Sequence, residues 1–234
     1  MATLDYPNAK IEILADTQHE KALRVSACAK EPMTVEWIER IDPLKSVLWD
    51  VGANVGCYSL VAASRGIQVI AIEPHFASFH HLMLNMFANP SLASRIIALP
   101  VALGAGTMMA PFSIASKDAG SGDHVTGSAP PQAFARIPVQ QYKTDDLIYQ
   151  LKVACPTHMK IDVDGSENDV LLGARDTLAY SVQSVLVELR PGVTDAACHN
   201  TLAPLGFTLA RDYPIRSVLY RVYEKPHKEP KHAR

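Results

Sequence analysis

A glycine-rich turn follows an acid near the start of the chain's first βα unit. The letters D-V-G-A-N-V-G occupy residues 50–56, after an apolar run and before a helix-like segment that begins at Cys57. Glycines let backbone N–H groups come close to a ligand, and the first turn of a helix offers N–H donors that lack intrahelical partners. The turn therefore suits a ligand that carries a ribose and a charged amino-acid end.

Six residues in and after this turn are candidates for contacts with that ligand. They are Asp50, Gly52, Asn54, Gly56, Tyr58 and Ser59. Asp50 can orient the loop or contact a cationic amino group, whereas a purely structural Asp50 would need a visible partner, because burying a lone carboxylate is costly. Tyr58 and Ser59 could reach a carboxylate, and packing is the plain alternative for Tyr58.

The turn does not match the dinucleotide fingerprint G-x-G-x-x-G. Counted from Gly52, the third position is Asn54 and the sixth is Cys57, so two of the three glycines are missing. A nicotinamide-dependent oxidoreductase is therefore disfavoured.

An acid follows the next apolar run. Glu73 lies about twenty residues after Gly52 and precedes Pro74, which ends the strand. A carboxylate at this point can accept hydrogen bonds from both hydroxyls of a ribose. The alternative is a carboxylate that only caps the helix beginning near Phe76. We expect Glu73 to bind the ribose.

A second acidic stretch covers residues 158–167, H-M-K-I-D-V-D-G-S-E. A short strand there delivers Asp162 and Asp164 at i and i+2, on one face or at its carboxyl end. Two roles stay open: Asp162 or Asp164 is a general base, or some of the candidates Asp162, Asp164 and Glu188 bind Mg²⁺. We favour Asp162 and Asp164 as the catalytic pair.

Three further polar residues have plainer interpretations. Lys160 points to the same face as Asp162 and is expected to pair with it and hold it ionised. Glu167 is expected to be a favourable charge in a first helical turn. His124 is expected to be a solvated loop residue rather than a base.

Apolar runs and turn residues predict the elements that position these groups. Strands are predicted at residues 47–50, 68–72, 96–103, 111–115, 133–140 and 184–189, with a closing antiparallel pair at 207–210 and 218–223. The alternating βα units indicate a parallel sheet with helices on both faces. Ligands of such sheets bind outside the carboxyl ends of the strands, where the acids and the glycine turn fall.

The helix after Glu73 is expected to face the sheet with an apolar stripe. Its members are Phe76, Phe79, Met83, Met86 and Phe87.

The chain divides into three predicted parts. Residues 1–45 form an N-terminal extension or cap, 46–224 the main domain, and 225–234 a basic flexible tail. Within the extension, residues 11–14 and 23–25 are predicted to form a short hairpin. The glycine- and proline-rich loop 116–131 is expected to be a lid over the site.

Composition excludes several classes of protein. The 234 residues are 48% apolar and 20% charged with a net charge of −2, which gives no field to attract nucleic acid. Four scattered cysteines form no C-x-x-C pair, so neither a zinc site nor a disulfide framework is indicated. With no signal peptide and no apolar run long enough to span a bilayer, a cytoplasmic protein is expected. A homo-oligomer stays open.

The two motifs and the segments between them resemble the FkbM family of class I S-adenosylmethionine (SAM) methyltransferases. The resemblance covers about residues 46–190 and rests on D-V-G-A-N-V-G, Glu73-Pro74, the segment P-V-A-L-G at 100–104, and K-I-D-V-D-G-S-E at 160–167. It implies a Rossmann-like α/β fold, with a mostly parallel seven-stranded sheet, an antiparallel C-terminal strand and helices on both faces.

The resemblance also implies a function. It implies O-methylation of a sugar or another small-molecule or glycan hydroxyl with SAM as cofactor. Matched onto this chain, the methionine side is lined by Asp50, Gly52, Asn54 and Gly56, with Glu73 on the ribose and Asp162 near the sulfonium and the acceptor. Distantly similar sugar O-methyltransferases use Mg²⁺. A non-catalytic SAM-binding or scaffolding protein is the main alternative.

Overall fold

A computed structural model describes residues 1–122, 124–126, 133–215 and 217–226. Its strands are β1 (Ala2–Thr3), β2 (Glu12–Ile13), β3 (Val47–Val51), β4 (Gln68–Ile72), β5 (Ile96–Leu99), β6 (Ala102–Leu103), β7 (Met108–Ile114), β8 (Val125–Thr126), β9 (Ala135–Tyr142), β10 (His158–Ile161), β11 (Ser184–Leu189), β12 (Thr208–Ile215) and β13 (Val218–Glu224). Its helices are α1 (Ala27–Lys30), α2 (Pro32–Glu39), α3 (Cys57–Ser64), α4 (Phe76–Ala88), α5 (Pro90–Ala93), α6 (Thr144–Tyr149), α7 (Glu167–Leu172), α8 (Arg175–Tyr180) and α9 (Asp195–Leu202). None of these helices is long and apolar enough to cross a bilayer.

The main sheet has seven strands in the order β12-β13-β11-β10-β3-β4-β5. Strands β3, β4, β5, β10 and β11 run parallel, and β13 returns antiparallel to β11. Strands β3, β4, β5 and β11 are mostly apolar, as is typical of parallel strands that helices cover on both faces, whereas β10 carries His158 and Lys160. The predicted fold and the closing antiparallel pair are confirmed.

The chain reverses direction across the sheet beside β3. From β3 it builds outward through β4 and β5, and it later returns to place β10 on the other side of β3. The carboxyl ends of β3 and β10 are therefore neighbours, and a crevice opens between the loops that leave them. The residues that follow these strands, Gly52 and Asp162, meet there.

The prediction of one continuous strand at 96–103 is wrong. It divides at Pro100 into β5, at the edge of the main sheet, and β6, which joins a four-stranded sheet in the order β6-β9-β7-β8. Proline has no N–H to donate to a ladder, so the chain leaves the first sheet there. The segments predicted at 111–115 and 133–140 do form strands, and they pair with each other as β7 and β9.

The hairpin predicted in the N-terminal extension is also wrong. Glu12–Ile13 pairs with Ala2–Thr3 instead, and Glu20–Arg24 form a π-helical turn. The Glu20 carboxylate accepts hydrogen bonds from the backbone N–H groups of Asp16 and Thr17, and the Thr17 hydroxyl accepts one from the Glu20 N–H. This reciprocal arrangement is a capping box, which starts a helical turn rather than a strand.

Helix α4 buries only part of the predicted stripe: Met86 is buried, and Phe79 and Met83 pack against the core as predicted. Phe76 and Phe87 are exposed, and the buried face consists of Ser78, Leu82, Asn85 and Met86. Asn85 donates to the Val55 carbonyl and accepts from the Leu14 N–H, so its amide joins the glycine turn to the N-terminal extension. Buried polar groups need such partners, and these lie far away in the sequence.

Candidate active site

A cavity of about 310 Å³ opens at the carboxyl ends of the parallel strands. Its floor is formed by the loops that leave β3, β4, β10 and β11, and its roof by residues 17–24 and 119–122. The predicted residues that line it are Gly52, Asn54, Tyr58, Glu73, Asp162, Asp164 and Glu188. Asp50, Gly56 and Ser59 lie behind this lining.

Gly52 holds the close approach of two strands. Its φ is +79°, and a Cβ at this position would lie 1.8 Å from the carbonyl oxygen of Asp162. Both the backbone conformation and the space therefore require glycine. The turn brings the loop after β3 against the loop after β10, which puts the two sequence motifs on one floor.

Glu73 both shapes the turn and lines the cavity. One carboxylate oxygen accepts the Asn54 N–H and the other accepts the His75 N–H, each at 2.7 Å. Burial raises its pKa to about 7, against the opposing effect of these two N–H groups and of the Arg24 charge. Since each carboxylate oxygen can accept two hydrogen bonds, this capping role leaves acceptor capacity for a ribose.

Asp50 has the partner that a structural role requires. It is fully buried, accepts a hydrogen bond from the Ser59 hydroxyl at 2.6 Å, and lies 3.5 Å from Lys160 Nζ. The Ser59 hydroxyl therefore has no further proton to donate. The Tyr58 hydroxyl donates to the Ala27 carbonyl at 2.9 Å. The two hydroxyls expected to reach a cofactor carboxylate are therefore directed elsewhere.

Gly56 also serves packing. Its φ is +86°, and a Cβ there would lie 2.3 Å from Leu82 of α4.

Lys160 joins the buried core to the cavity. Its ammonium lies 3.4 Å from Asp162 and 3.5 Å from Asp50, and above the ring of Tyr58. Burial alone would lower the pKa of Lys160, but the charges of Asp162 and Asp50 raise it overall. The predicted pairing of Lys160 with Asp162 is present.

Asp162, Asp164 and Glu188 form the acidic end of the floor. Ile161 pairs with Val187 in register, so Asp162 and Glu188 leave adjacent strands side by side. Burial and the nearby Asp162 charge raise the pKa of Glu188 to about 8. Asp164 lies 3.5 Å from Arg190.

Glu167 occupies the first turn of α7, as predicted, but it is not a solvated charge. Only 2% of it is exposed, one carboxylate oxygen accepts the Gly165 N–H, and burial raises its pKa.

The three proposed magnesium ligands do not form a metal site. The part of the chain that the structure describes contains no group of three or more His, Cys, Asp or Glu side chains placed to hold a metal ion. Asp162 and Asp164 instead lie beside Lys160 and Arg190. The structure thus gives no support to Mg²⁺.

His124 is buried, so the prediction that it is a solvated loop residue is wrong. Its ring stacks on His75 with 4.0 Å between centroids, and it is hydrogen-bonded to the Ala115 N–H and the Ser121 hydroxyl. Burial lowers its pKa to about 4. His124 therefore fixes the shape of the loop around it.

Segments remote in the sequence meet in the roof. The Thr17 hydroxyl donates to the Ala119 carbonyl at 2.9 Å, and Arg24 Nε and Nη2 donate to the Gly120 carbonyl at 3.0 and 2.8 Å. The Asn54 side chain donates to the Ser121 carbonyl at 2.7 Å, which joins the roof to the floor. Sequence reasoning missed Arg24, and only the Thr17–Glu20 capping pattern could have indicated a helical turn near it.

The predicted lid is only partly described. Residues 116–122 and 124–126 belong to the described part of the chain, and 119–122 cover the cavity. Residue 123 and residues 127–131 lie outside the described residues, as do residues 227–234 of the predicted tail.

Comparison with protein families identifies this architecture. The methyltransferase FkbM domain model matches residues 50–202, which include the glycine turn, Glu73 and the acidic floor. The chain belongs to this family.

Individual relatives agree with that assignment. Hexuronic acid methyltransferase AglP from Haloferax volcanii is 29% identical over 148 residues, which cover 63% of this chain and 57% of AglP. The crystal structure of an FkbM methyltransferase from Methylobacillus flagellatus KT aligns at a TM-score of 0.52 and 21% identity, over 75% of this chain and 43% of that one. The chain thus spans about half the length of each of these two relatives.

A third solved structure aligns over most of both chains. The SAM-bound structure of magnesium protoporphyrin IX methyltransferase from Synechocystis PCC 6803 aligns at a TM-score of 0.54 and 12% identity, over 91% and 85% of the two chains. At such identities the structural likeness shows the class I methyltransferase fold alone.

The cavity has the groups that SAM requires. Asn54 Oδ1 has no hydrogen-bond partner among the described residues, so an acceptor is available for a cationic amino group. Glu73 can serve the ribose, and Val101, Leu103 and Phe112 give an apolar wall for a purine ring. The volume falls within the range of small-molecule sites.

Proposed function

We propose that this chain is a SAM-dependent methyltransferase that methylates a hydroxyl of a sugar or another small-molecule acceptor. The observation that carries the proposal is the convergence of the glycine turn, Glu73 and Asp162 on one cavity at the reversal point of the sheet. Membership of the FkbM family supports the same reaction class.

The cofactor and the protein divide the chemistry. When bound, SAM supplies a methyl group on a positively charged sulfur, and the sulfur leaves as a neutral thioether. The chain then has to align the acceptor, exclude water and take up the hydroxyl proton.

Asp162 is our candidate for the proton acceptor. Asp162 lines the cavity, and its carboxylate lies 3.4 Å from the Lys160 ammonium. The hydroxyl oxygen would form the new bond to carbon while its proton passes to Asp162 Oδ1 or Oδ2. Burial and the Asp162 charge raise the pKa of Glu188 to about 8, and in its protonated form Glu188 can donate a hydrogen bond to the acceptor. Asp164, the other predicted catalytic acid, stays a candidate for acceptor binding.

The acceptor class is inferred from a relative. AglP is named for hexuronic acids, and it shares 29% identity with this chain over the matched region. We therefore expect a sugar, with hexuronic acids as the first acceptors to test. A cytoplasmic location and the absence of a nucleic-acid partner stay predictions, and the oligomeric state stays open.

Calorimetric titration tests the cofactor. We expect SAM and S-adenosylhomocysteine to bind the purified chain at micromolar concentration and NADH not to bind. Glu73→Gln should weaken both adenosyl ligands about 10-fold or more, because hydrogen bonds to a carboxylate are strong. Glu36→Gln, on the exposed face of α2, is the matched control and should leave the affinities for both adenosyl ligands unchanged. Absence of adenosyl-ligand binding to the unmodified chain would refute the proposal.

Methyl transfer separates an enzyme from a binding protein. Glucuronic and galacturonic acids and their glycosides are incubated with methyl-labelled SAM, and the label is followed in the product. We expect Asp162→Asn to retain cofactor binding and lose about 100-fold or more in rate, as is typical for a lost general base. Cofactor binding without transfer to any sugar would favour the non-catalytic alternative.

A further inference from the structure

The cofactor of the proposed reaction carries a carboxylate for which the sequence suggested the wrong partners. Tyr58 and Ser59 begin α3 beside the glycine turn, but their hydroxyl protons are donated to the Ala27 carbonyl and to Asp50. A carboxylate in a cavity needs donors, and a cation is the strongest kind.

Of the residues that the structure describes, three cationic side chains other than histidine line the cavity: Arg24, Lys30 and Lys160. Lys160 lies between Asp50 and Asp162, and Lys30 pairs with Glu31 at 3.1 Å. Arg24 differs, because its two hydrogen bonds go to a neutral carbonyl, that of Gly120. Among the described residues, Arg24 forms no ion pair with a carboxylate.

Arg24 also lies at the end of the cavity beside the glycine turn, where the amino-acid part of SAM is expected. It ends the π-helical turn, and its backbone carbonyl is 3.5 Å from the sulfur of Cys57, the first residue of α3. Its charge reaches the carboxyl of Glu73 and the thiol of Cys57, where it acts to lower the pKa of each against the larger effect of burial. Arg24 therefore lies close to both the glycine turn and the proposed ribose ligand.

The guanidinium has donors to spare. Arginine offers five N–H groups, and hydrogen bonds to Gly120 occupy two, which leaves three. The bonds to Gly120 also hold the side chain in place, so little further side-chain entropy is lost when a ligand binds.

We propose that Arg24 binds the α-carboxylate of SAM, so that the N-terminal extension completes the cofactor site. The inference rests on the proposed function. Residues 17–24 then have two roles, since they hold the loop 119–122 over the cavity and also supply the cation for the amino-acid end of the cofactor.

The test compares two ligands that differ only in this carboxylate. SAM and decarboxylated SAM are titrated into the unmodified chain and into Arg24→Gln by calorimetry. We expect the unmodified chain to prefer SAM by about 10-fold or more, and Arg24→Gln to lose most of that preference. Binding of decarboxylated SAM should change less than about 3-fold.

Two control variants isolate the charge from the structure of the roof. Arg65→Gln removes an exposed arginine that also donates to a backbone carbonyl, that of Glu39, and it should leave both affinities unchanged. Thr17→Val loosens the roof by removing the hydrogen bond to Ala119 and the acceptor for the Glu20 N–H, but it keeps the Arg24 charge, so the ratio of the two affinities should stay unchanged. Circular dichroism checks that each variant is folded.

The outcomes are distinct. An equal loss of both ligands in Arg24→Gln would overturn the inference and show that Arg24 only fastens the roof. An unchanged preference for SAM, with loss of glucuronate binding instead, would assign Arg24 to a carboxylate of the acceptor and also overturn it. If neither adenosyl ligand binds the unmodified chain, the proposed function itself fails.

Discussion

The floor and the roof of the cavity are held together by different forces. The floor rests on parallel strand pairing and on the buried charges of Asp50 and Lys160. The roof rests on side-chain hydrogen bonds to single carbonyl groups, from Thr17 to Ala119 and from Arg24 to Gly120. Each roof bond is worth about 1 kcal/mol, whereas the floor cannot change without disturbing the core. We therefore expect the floor to be more rigid than the roof.

Gly52→Ala should have the largest effect and destroy the floor. The new Cβ would meet the Asp162 carbonyl at 1.8 Å in a left-handed conformation, so the two central loops would have to separate. We expect the free energy of unfolding to fall by more than about 4 kcal/mol, measured by urea denaturation. Gly206→Ala is the control, because its φ is +87° but nothing lies within 4 Å of the new Cβ. It should cost only about 1–2 kcal/mol, and equal losses in the two variants would contradict the steric argument.

Lys160→Met should cause the next largest loss of stability. It leaves the fully buried Asp50 carboxylate without its cation, and breaking a buried pair costs about 3–5 kcal/mol. Urea denaturation measures the loss. The double variant Asp50→Asn, Lys160→Met should recover a large part of it, because no unpaired charge remains. A double variant as unstable as the sum of the two single ones would show that charge pairing does not hold the floor.

The floor and the roof should respond to pH in opposite directions. Glu188 has a folded-state pKa of about 8 against an ordinary value of 4.5. Between these values the folded chain retains a proton that the unfolded chain has lost, so this contribution to stability falls as the pH rises. We expect Glu188→Gln to remove a decline of about 2 kcal/mol between pH 5 and 8, less than the full shift implies because the group borders the cavity.

His124, in the loop beside the roof, should make the free energy of unfolding rise with pH, opposite to the effect of Glu188. Its pKa falls from 6.5 to about 4, so its contribution is present above pH 6.5 and is lost as the pH falls toward 4. His124→Gln should therefore flatten the acid side of the stability profile and leave the alkaline side unchanged. Unfolding free energies measured from pH 4 to 9 check both variants, and slopes of the same sign would contradict the assignment.

Thr17→Val should be the mildest change and affect the roof alone. The loss of the hydrogen bond to Ala119 and of the cap on the Glu20 N–H should together cost about 1–2 kcal/mol. Hydrogen exchange should become faster in residues 119–122 and stay unchanged in β10. Equal acceleration in β10 would show that the roof and the floor open as one unit.

Sequence reasoning located the floor better than the roof. The strands that carry the floor are short apolar runs that end in a glycine or an acid, and this local pattern sufficed to place Gly52, Glu73 and Asp162 on one edge. Which of the nearby polar groups face the cavity depended on packing: Asp50 and Ser59 turn toward each other, behind the lining. A local pattern carries no information about such pairings, because their partners approach from other elements.

The sequence by itself determined the fold, the family and the acids and glycines of the floor, because periodicity, turn residues and motif spacing are local properties. Only the tertiary structure decided which groups form the roof. Thr17 and Arg24 contact Ala119 and Gly120 from about 100 residues away, and Pro100 moves β6 into a second sheet. The burial of His124 and the direction of each hydroxyl were decided in the same way, since burial and hydrogen-bond partners are set by what the chain brings together in space.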